Sequence, residues 1–109
     1  MEREIEELKQ EFIKNLAPLK IYLFGSFANG TNNENSDFDF YIIVNGSIEE
    51  ISKITTKAYK AIRYIKKRPV DILISTEELF EKNRTFPSIE YEVAKKGILI
   101  YIERKYNYA

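Results

Sequence analysis

Apolar residues recur along the chain at two spacings, which predict alternating helices and strands. Residues 2–16 carry them at helical intervals, and Pro18 ends this helix because its ring disfavours helical geometry in the preceding residue. A further helix is predicted over 88–96, with Gly97 as its C-terminal cap. Residues 25–36, rich in Gly and Asn, predict a loop or a single helical turn. Continuous apolar runs predict four strands, at 20–24, 37–44, 70–74 and 98–102.

Serines placed three residues before glutamates predict two more helix starts. Ser47 with Glu50, and Ser75 with Glu78, have the spacing of a capping box. The first pair precedes a long amphipathic helix and the second a short one. The apolar face of the long helix is predicted to contain Ile51, Ile54, Ala58, Ile62 and Ile65.

The predicted order, αβ(α)βαβααβ with short connections, indicates a single domain of the α/β (α+β) class over residues 1–109. We expect a small mixed sheet of about four strands packed with helices. Residues 104–109 are polar and tyrosine-rich, and we expect a partly mobile tail there. No run approaches the ~18 apolar residues of a membrane helix, and the acidic start lacks the features of a secretory signal. The expected location is therefore the cytoplasm, without membrane association.

Composition narrows the chemistry that this domain can perform. The chain has no cysteine and no histidine, so thiolate nucleophiles and the usual neutral-pH general base are both absent. Any reaction must therefore use carboxylates, hydroxyls, Lys and Arg, backbone amides or a bound cofactor. The 17 acidic and 17 basic residues give a net charge of zero, so direct nucleic-acid binding is not expected.

The three aspartates of the chain all lie in or beside predicted strands. Asp37 and Asp39 are two residues apart and project from the same strand face, and Asp71 lies near the start of the third strand. If these strands are neighbours, the three carboxylates converge and repel one another, which a hard cation such as Mg²⁺ or Mn²⁺ would relieve. The alternative, that Asp37 and Asp39 are turn and strand-edge residues, does not explain Asp71.

Gly25 and Ser26 directly follow the first predicted strand. Glycine lets a backbone approach a ligand closely, and the amides at the start of a helical turn favour an anion such as phosphate. Taken alone, the pair is also what an ordinary strand-ending turn contains.

Together these residues form a pattern: Gly25-Ser26, ten residues, Asp37-Phe38-Asp39, and a later strand carrying Asp71. The pattern resembles the DNA polymerase β-type nucleotidyltransferase superfamily. The short chain and ten-residue spacer resemble its minimal nucleotidyltransferases, the MNT or MntA-like antitoxins of HEPN–MNT toxin–antitoxin modules. Many of those antitoxins have arginine where this chain has Asn29. Asn29 lacks the guanidinium group that would contact the triphosphate.

The resemblance implies a Mg²⁺-dependent reaction with ATP as donor. Asp37, Asp39 and Asp71 would hold two Mg²⁺ ions (Mn²⁺ is an alternative), and Gly25 and Ser26 would bind the nucleotide. AMP would pass to a tyrosine of a HEPN-domain toxin in a hetero-oligomer, with release of pyrophosphate. Because the chain has no histidine, Asp71 is expected to take the acceptor's proton.

Two other functions stay open. One is an antitoxin that neutralises its partner by binding and has weak or absent activity, and Asn29 favours this one. The other is a transferase acting on a small molecule.

Residues 52–68 hold seven cations and no acid, which indicates a solvated helix face or a basic surface for an acidic partner or RNA. Tyr22, Tyr41 and Tyr101 are expected in the core. Tyr106 and Tyr108 are candidates for partner contacts or self-modification.

Overall fold

The structure is a computed structural model and describes residues 2–104. Its helices are α1 (Glu2–Leu16), α2 (Ser26–Asn29), α3 (Ile51–Ile62), α4 (Glu77–Asn83) and α5 (Ile89–Lys96), with a 3₁₀ turn at Ile48–Glu50. Its strands are β1 (Lys20–Phe24), β2 (Phe38–Ile43), β3 (Val70–Ser75) and β4 (Ile98–Ile102). The predicted element order is confirmed. None of the helices in residues 2–104 is long and apolar enough to cross a membrane.

The four strands form one mixed sheet in the order β3-β2-β1-β4. β1 lies antiparallel to both β2 and β4, whereas β2 and β3 are parallel. A parallel pair needs a crossover, which α3 supplies between the two strands. The predicted class, a small mixed sheet with packed helices, is confirmed.

The two faces of the sheet bury different side chains because successive strand residues point to opposite sides. The main core lies between the sheet and α1 with α3, where Phe12 packs edge-on against Phe40 at 5.2 Å between ring centroids. A smaller core lies under α4 and α5, with Phe80 and Val93 packed against Tyr41. Asp39 is two residues before Tyr41 and therefore lies on this second face.

Two predicted boundaries, the start of α4 and the end of β3, were wrong by one residue. Thr76, not Ser75, caps α4: its hydroxyl accepts from the Leu79 N–H at 3.3 Å. The Ser75 carbonyl is already engaged by Val44 N–H at 2.9 Å, so β3 continues one residue further than predicted.

Ile65 does not lie on the apolar face of α3, contrary to the prediction. The helix ends at Ile62, whose carbonyl accepts from the Ile65 N–H at 3.1 Å in a tight turn, and Ile65 is 36% exposed. Such i→i+3 bonds commonly tighten the last turn of a helix. By contrast, the capping box of Ser47 and Glu50 is confirmed, and so is Gly97 as the C-terminal cap of α5.

The tyrosines predicted in the core are buried to different degrees. Tyr41 is 1% exposed, while Tyr22 and Tyr101 are partly buried in β1 and β4. Tyr106 and Tyr108, with most of the predicted tail, lie outside the described residues.

Candidate functional site

The parallel register of β2 and β3 places Asp39 directly beside Asp71. Residues in register on neighbouring strands project from the same face, so the two carboxyls lie close enough for protonated Asp39 to donate a hydrogen bond to Asp71. Asp39 is partly buried, whereas Asp71 lies on an edge strand and is exposed. Two strands that are distant in sequence thus bring two of the three predicted aspartates into contact.

Asp37 occupies the last loop position before β2. Its charge is close enough to raise the pKa of Asp39. Within residues 2–104, however, no group of three or more acidic side chains is arranged to hold a metal ion. The structure therefore pairs Asp39 with Asp71 and leaves Asp37 at the mouth of the strand.

The pKa of Asp39 is raised from 3.8 to about 6. Desolvation is the largest cause, followed by the negative charges of Asp71 and Asp37 and the hydrogen bond with Asp71. Glu92 of α5 adds a further repulsion. Crowded carboxylates of this kind suit a hard divalent cation, which prefers oxygen ligands and would offset the repulsion. The oxygen donors of Asp39 and Asp71 are therefore of the kind that Mg²⁺ prefers, although Asp37 is not grouped with them in residues 2–104.

Gly25 brings the backbone against this carboxylate pair. Its φ of +75° and ψ of −151° belong to a region that glycine alone adopts readily. A Cβ built at this position would collide with Asp39 Oδ2, so any side chain here would force the Asp39 carboxylate to move. The pairing of Phe24 with Asp39 in the sheet explains this closeness, because Gly25 follows Phe24 directly.

Ser26 opens the single-turn helix α2 immediately after Gly25. The first N–H groups of a helix have no acceptor within the helix and remain available to a ligand. Gly30 ends the turn in the left-handed conformation at φ +77°. The predicted short helical turn is thus present, and it begins beside Asp39.

Asn29 uses its side chain to hold this turn together. With its amide nitrogen facing inward, Nδ2 lies 3.0 Å from Gly25 O and 3.1 Å from Ser26 O. The same nitrogen lies 2.8 Å from the Thr31 hydroxyl. The opposite orientation would set Oδ1 against two carbonyl oxygens, so the inward nitrogen is the sound assignment.

Two glutamates of α5 contribute to this face, and sequence reasoning missed both. Glu90 accepts a 2.7 Å hydrogen bond from the Tyr41 hydroxyl, and burial raises the pKa of Tyr41 so that it stays a donor. Glu92 acts on Asp39 through its charge. Glu90 and Tyr41 are 49 residues apart, and no motif or spacing connects them.

The basic segment 52–68 lies on the other side of the sheet. α3 packs through Ala58 and Ile62 against the main core, so its lysines face solvent away from Asp39. Arg68 is the exception, because it is paired with Glu4 at 3.1 Å. Both explanations of the remaining six cations stay open.

The chain matches the model of a known family, the nucleotidyltransferase domain, over residues 5–100. It belongs to that family. No curated protein matches it significantly. Among solved structures, the nucleotidyltransferase domain resembles a putative nucleotidyltransferase from Sulfolobus solfataricus (23% identity, TM-score 0.54, 94% of this chain and 78% of that one).

Two toxin–antitoxin structures share the same fold. One, crystallised with AMP-PNP, has 21% identity and a TM-score of 0.52 over 95% of this chain and 75% of that one. The other, MntA–HepT, has 15% identity and a TM-score of 0.53 over 96% and 75%. At such identities the likeness concerns the fold. The nucleotidyltransferase domain predicted from the Gly25-Ser26 and aspartate pattern is confirmed at the level of the family.

Proposed function

We propose that this nucleotidyltransferase is an antitoxin that transfers AMP from ATP to a tyrosine hydroxyl of a HEPN-domain toxin. The observation that carries the proposal is the contact between Asp39 and Asp71, with the Gly25 backbone packed directly against it. A glycine whose backbone lies against the Asp39 carboxylate suits a phosphate chain and a cation that must approach closely.

Asp39 and Asp71 would hold Mg²⁺, and Asp37 would complete the ligand set from the loop directly before β2. When bound, the cation offsets charge on the triphosphate and makes the acceptor hydroxyl more acidic. The raised pKa of Asp39 supports this role, because a crowded carboxylate gains from a cationic partner. Mn²⁺ would fit the same oxygen ligands.

Gly25 and Ser26 would bind the triphosphate of the donor. Their amides begin α2, where unpaired N–H groups favour an anion. The Ser26 hydroxyl adds a donor. Asn29 would preserve this arrangement by holding the Gly25 and Ser26 carbonyls on the opposite side of the turn.

In the transfer itself, the acceptor oxygen forms a bond to the α-phosphorus as the bond to pyrophosphate breaks. Asp71 would take the hydroxyl proton, since its exposed carboxylate is accessible to an incoming acceptor. Pyrophosphate leaves with the bonding electron pair, and the acceptor retains a phosphodiester-linked AMP.

The open position of Asp71 supports a protein acceptor over a small molecule. Asp71 lies on the edge strand, and Leu73, two residues further on the same face, is 38% exposed. An exposed, partly apolar edge beside the carboxylates suits a macromolecule that brings its own docking surface. The likeness to toxin–antitoxin structures agrees with a toxin as this partner.

The test is a transfer assay with α-labelled ATP, MgCl₂ and the protein encoded beside this gene. Wild-type protein should label the partner, and Asp71→Asn should abolish labelling while retaining some ATP binding. Glu78→Gln, at an exposed glutamate of α4, is the matched control and should label normally. Undiminished transfer by Asp71→Asn would refute the role of this residue.

A second candidate function is neutralisation by binding alone. It is favoured by Asn29, whose side chain is turned to the backbone of its own turn and supplies no cation for a triphosphate. A stoichiometric complex with the partner, without label transfer at any Mg²⁺ concentration, would establish this alternative and exclude the enzymatic one.

A further inference from the structure

Arg68, directly before Pro69 and three residues before Asp71, contacts three separate segments of the chain: α1, α2 and residues 36–38. Its Nε and Nη2 bond the two carboxylate oxygens of Glu4 at 3.3 and 3.1 Å. Its guanidinium carbon lies 4.7 Å from the centre of the Phe38 ring and 5.4 Å from that of Phe27. Nη1 reaches the Ser36 carbonyl at 3.5 Å, a weaker contact.

Three of these contacts, those with Phe27, Ser36 and Phe38, adjoin a proposed site residue. Phe27 directly follows Ser26, and Ser36 directly precedes Asp37. Phe38 separates Asp37 from Asp39 and donates its N–H to Pro69 O at 3.1 Å. The Arg68 guanidinium therefore contacts the turn that follows Gly25, the loop carrying Asp37 and the start of β2. The backbone of Arg68 leads into β3.

The contacts need an arginine in particular. A planar guanidinium can bond a carboxylate with two parallel N–H groups and at the same time cover an aromatic ring with its face. The Phe27 and Phe38 rings are themselves packed at 4.6 Å, so Arg68 covers a preformed aromatic pair. Its side chain is 19% exposed, and that of Glu4 16%, so the cluster is largely shielded from water.

Glu4 fixes the direction in which the guanidinium points. The hydrogen bonds from Arg68 are the largest cause that lowers the pKa of Glu4, so this carboxylate is ionised at neutral pH. Through it, α1 anchors the guanidinium that contacts the aromatic pair. The other cations of the 52–68 segment are exposed, which distinguishes Arg68 from them.

We propose that Arg68 is a positioning residue that sets the distance between the Gly25–Ser26 turn and the aspartates. The proposal rests on the proposed function of that site. Arg68 does not touch substrate; it acts through Phe27, Ser36 and Phe38 on the residues next to them. Its loss should allow the turn and the Asp37 loop to move relative to β3.

The test compares Arg68→Met and Arg68→Lys with wild type and with Lys66→Met, which removes an exposed cation of the same segment. Both Arg68 variants should lower kcat/KM for ATP by ~10–100-fold and raise the half-saturating Mg²⁺ concentration by a similar factor, as residues that support metal ligands do. Lysine should not rescue, because it keeps the charge but lacks the fork and the flat face. Lys66→Met should behave as wild type.

Metal dependence separates positioning from a merely structural role. Circular dichroism gives the folded fraction of each variant, and activities are expressed per folded protein. A stabilising role alone would leave the Mg²⁺ requirement of the folded protein unchanged. Arg68→Lys serves if Arg68→Met does not fold. Wild-type kcat and Mg²⁺ requirement in either folded Arg68 variant, or full rescue by lysine, would overturn the proposal.

Failure of the proposed function would be seen separately. If wild-type protein binds Mg²⁺–ATP in calorimetry but labels no partner, transfer is refuted, yet a ~10–100-fold weaker binding by the Arg68 variants would still support the positioning role. Equal Mg²⁺–ATP affinity in wild type and both variants would overturn it.

Discussion

Asp39→Asn is expected to stabilise the metal-free protein at neutral pH while abolishing nucleotidyl transfer. The Asp39 carboxyl is partly buried, lies in register with Asp71 and is repelled by its charge. An amide of the same shape removes the charge and can donate a hydrogen bond to Asp71. The carboxylate is thus retained at a cost to stability, as expected where a charge serves function.

The raised pKa gives the size and sign of this effect. The pKa of Asp39 rises from 3.8 to about 6, which is roughly two units. At 1.36 kcal/mol per unit, this rise corresponds to ~3 kcal/mol. Because solvent reaches this carboxyl and screens it, we expect about 1 kcal/mol. Since the folded state holds the proton more tightly than the unfolded state, the penalty is present above pH 6 and disappears as pH falls towards 4.

The assay is thermal and urea unfolding in EDTA at pH 7.5 and pH 5. Asp39→Asn should raise Tm by ~4–8 °C at pH 7.5, and by about half as much at pH 5, because pH 5 lies between the unfolded and folded pKa values. Added Mg²⁺ should stabilise wild type more than the variant. Glu34→Gln, at an exposed loop carboxylate, is the control and should change little at either pH. A destabilised variant, or a gain independent of pH, would refute the reasoning.

Three further changes test the rest of the site. Gly25→Ala should lower the free energy of unfolding in urea by about 1–3 kcal/mol because of the backbone conformation of Gly25. Gly30→Asn, at φ +77° with open space around it, should lower it by under ~1 kcal/mol. Equal losses would contradict this. Tyr41→Phe should cost about 1–3 kcal/mol in thermal unfolding by removing the 2.7 Å bond to Glu90, and unchanged stability would count against that bond. Asn29→Ala should lower the free energy of unfolding by about 1 kcal/mol and weaken ATP binding in calorimetry. An ATP affinity equal to that of wild type would show that the contacts of Asn29 do not hold the turn that follows Gly25.

Much of the fold was predictable because its elements have strong local signals. α1, β1 and β4 have the predicted bounds, since each is an uninterrupted periodic or apolar run bounded by Pro or Gly. The errors occurred where tertiary bonds extend or shorten an element. β3 runs on to Ser75 because of its bond to Val44, and α3 stops at Ile62 in a tight turn before Ile65.

The site was predictable as a set of residues but not as a geometry. Aspartates in strand runs indicate chemistry from residue type alone, because aspartate is unfavourable in ordinary strands, whereas the Gly25-Ser26 pair indicates it only in combination with them. Whether they meet depends on strand order. Only the parallel pairing of β2 with β3 places Asp39 beside Asp71, and only the β1 register places Gly25 beside Asp39.

The sequence by itself determined the elements, the class of fold and the family, because hydrophobic periodicity and a short motif are local properties of the chain. The tertiary structure decided what surrounds each carboxylate: the contact of Asp39 with Asp71, the charge of Glu92, and the guanidinium of Arg68 on the rings beside the site. These are contacts between segments up to 64 residues apart. Their energies depend on distance and burial, which exist only once the chain has folded.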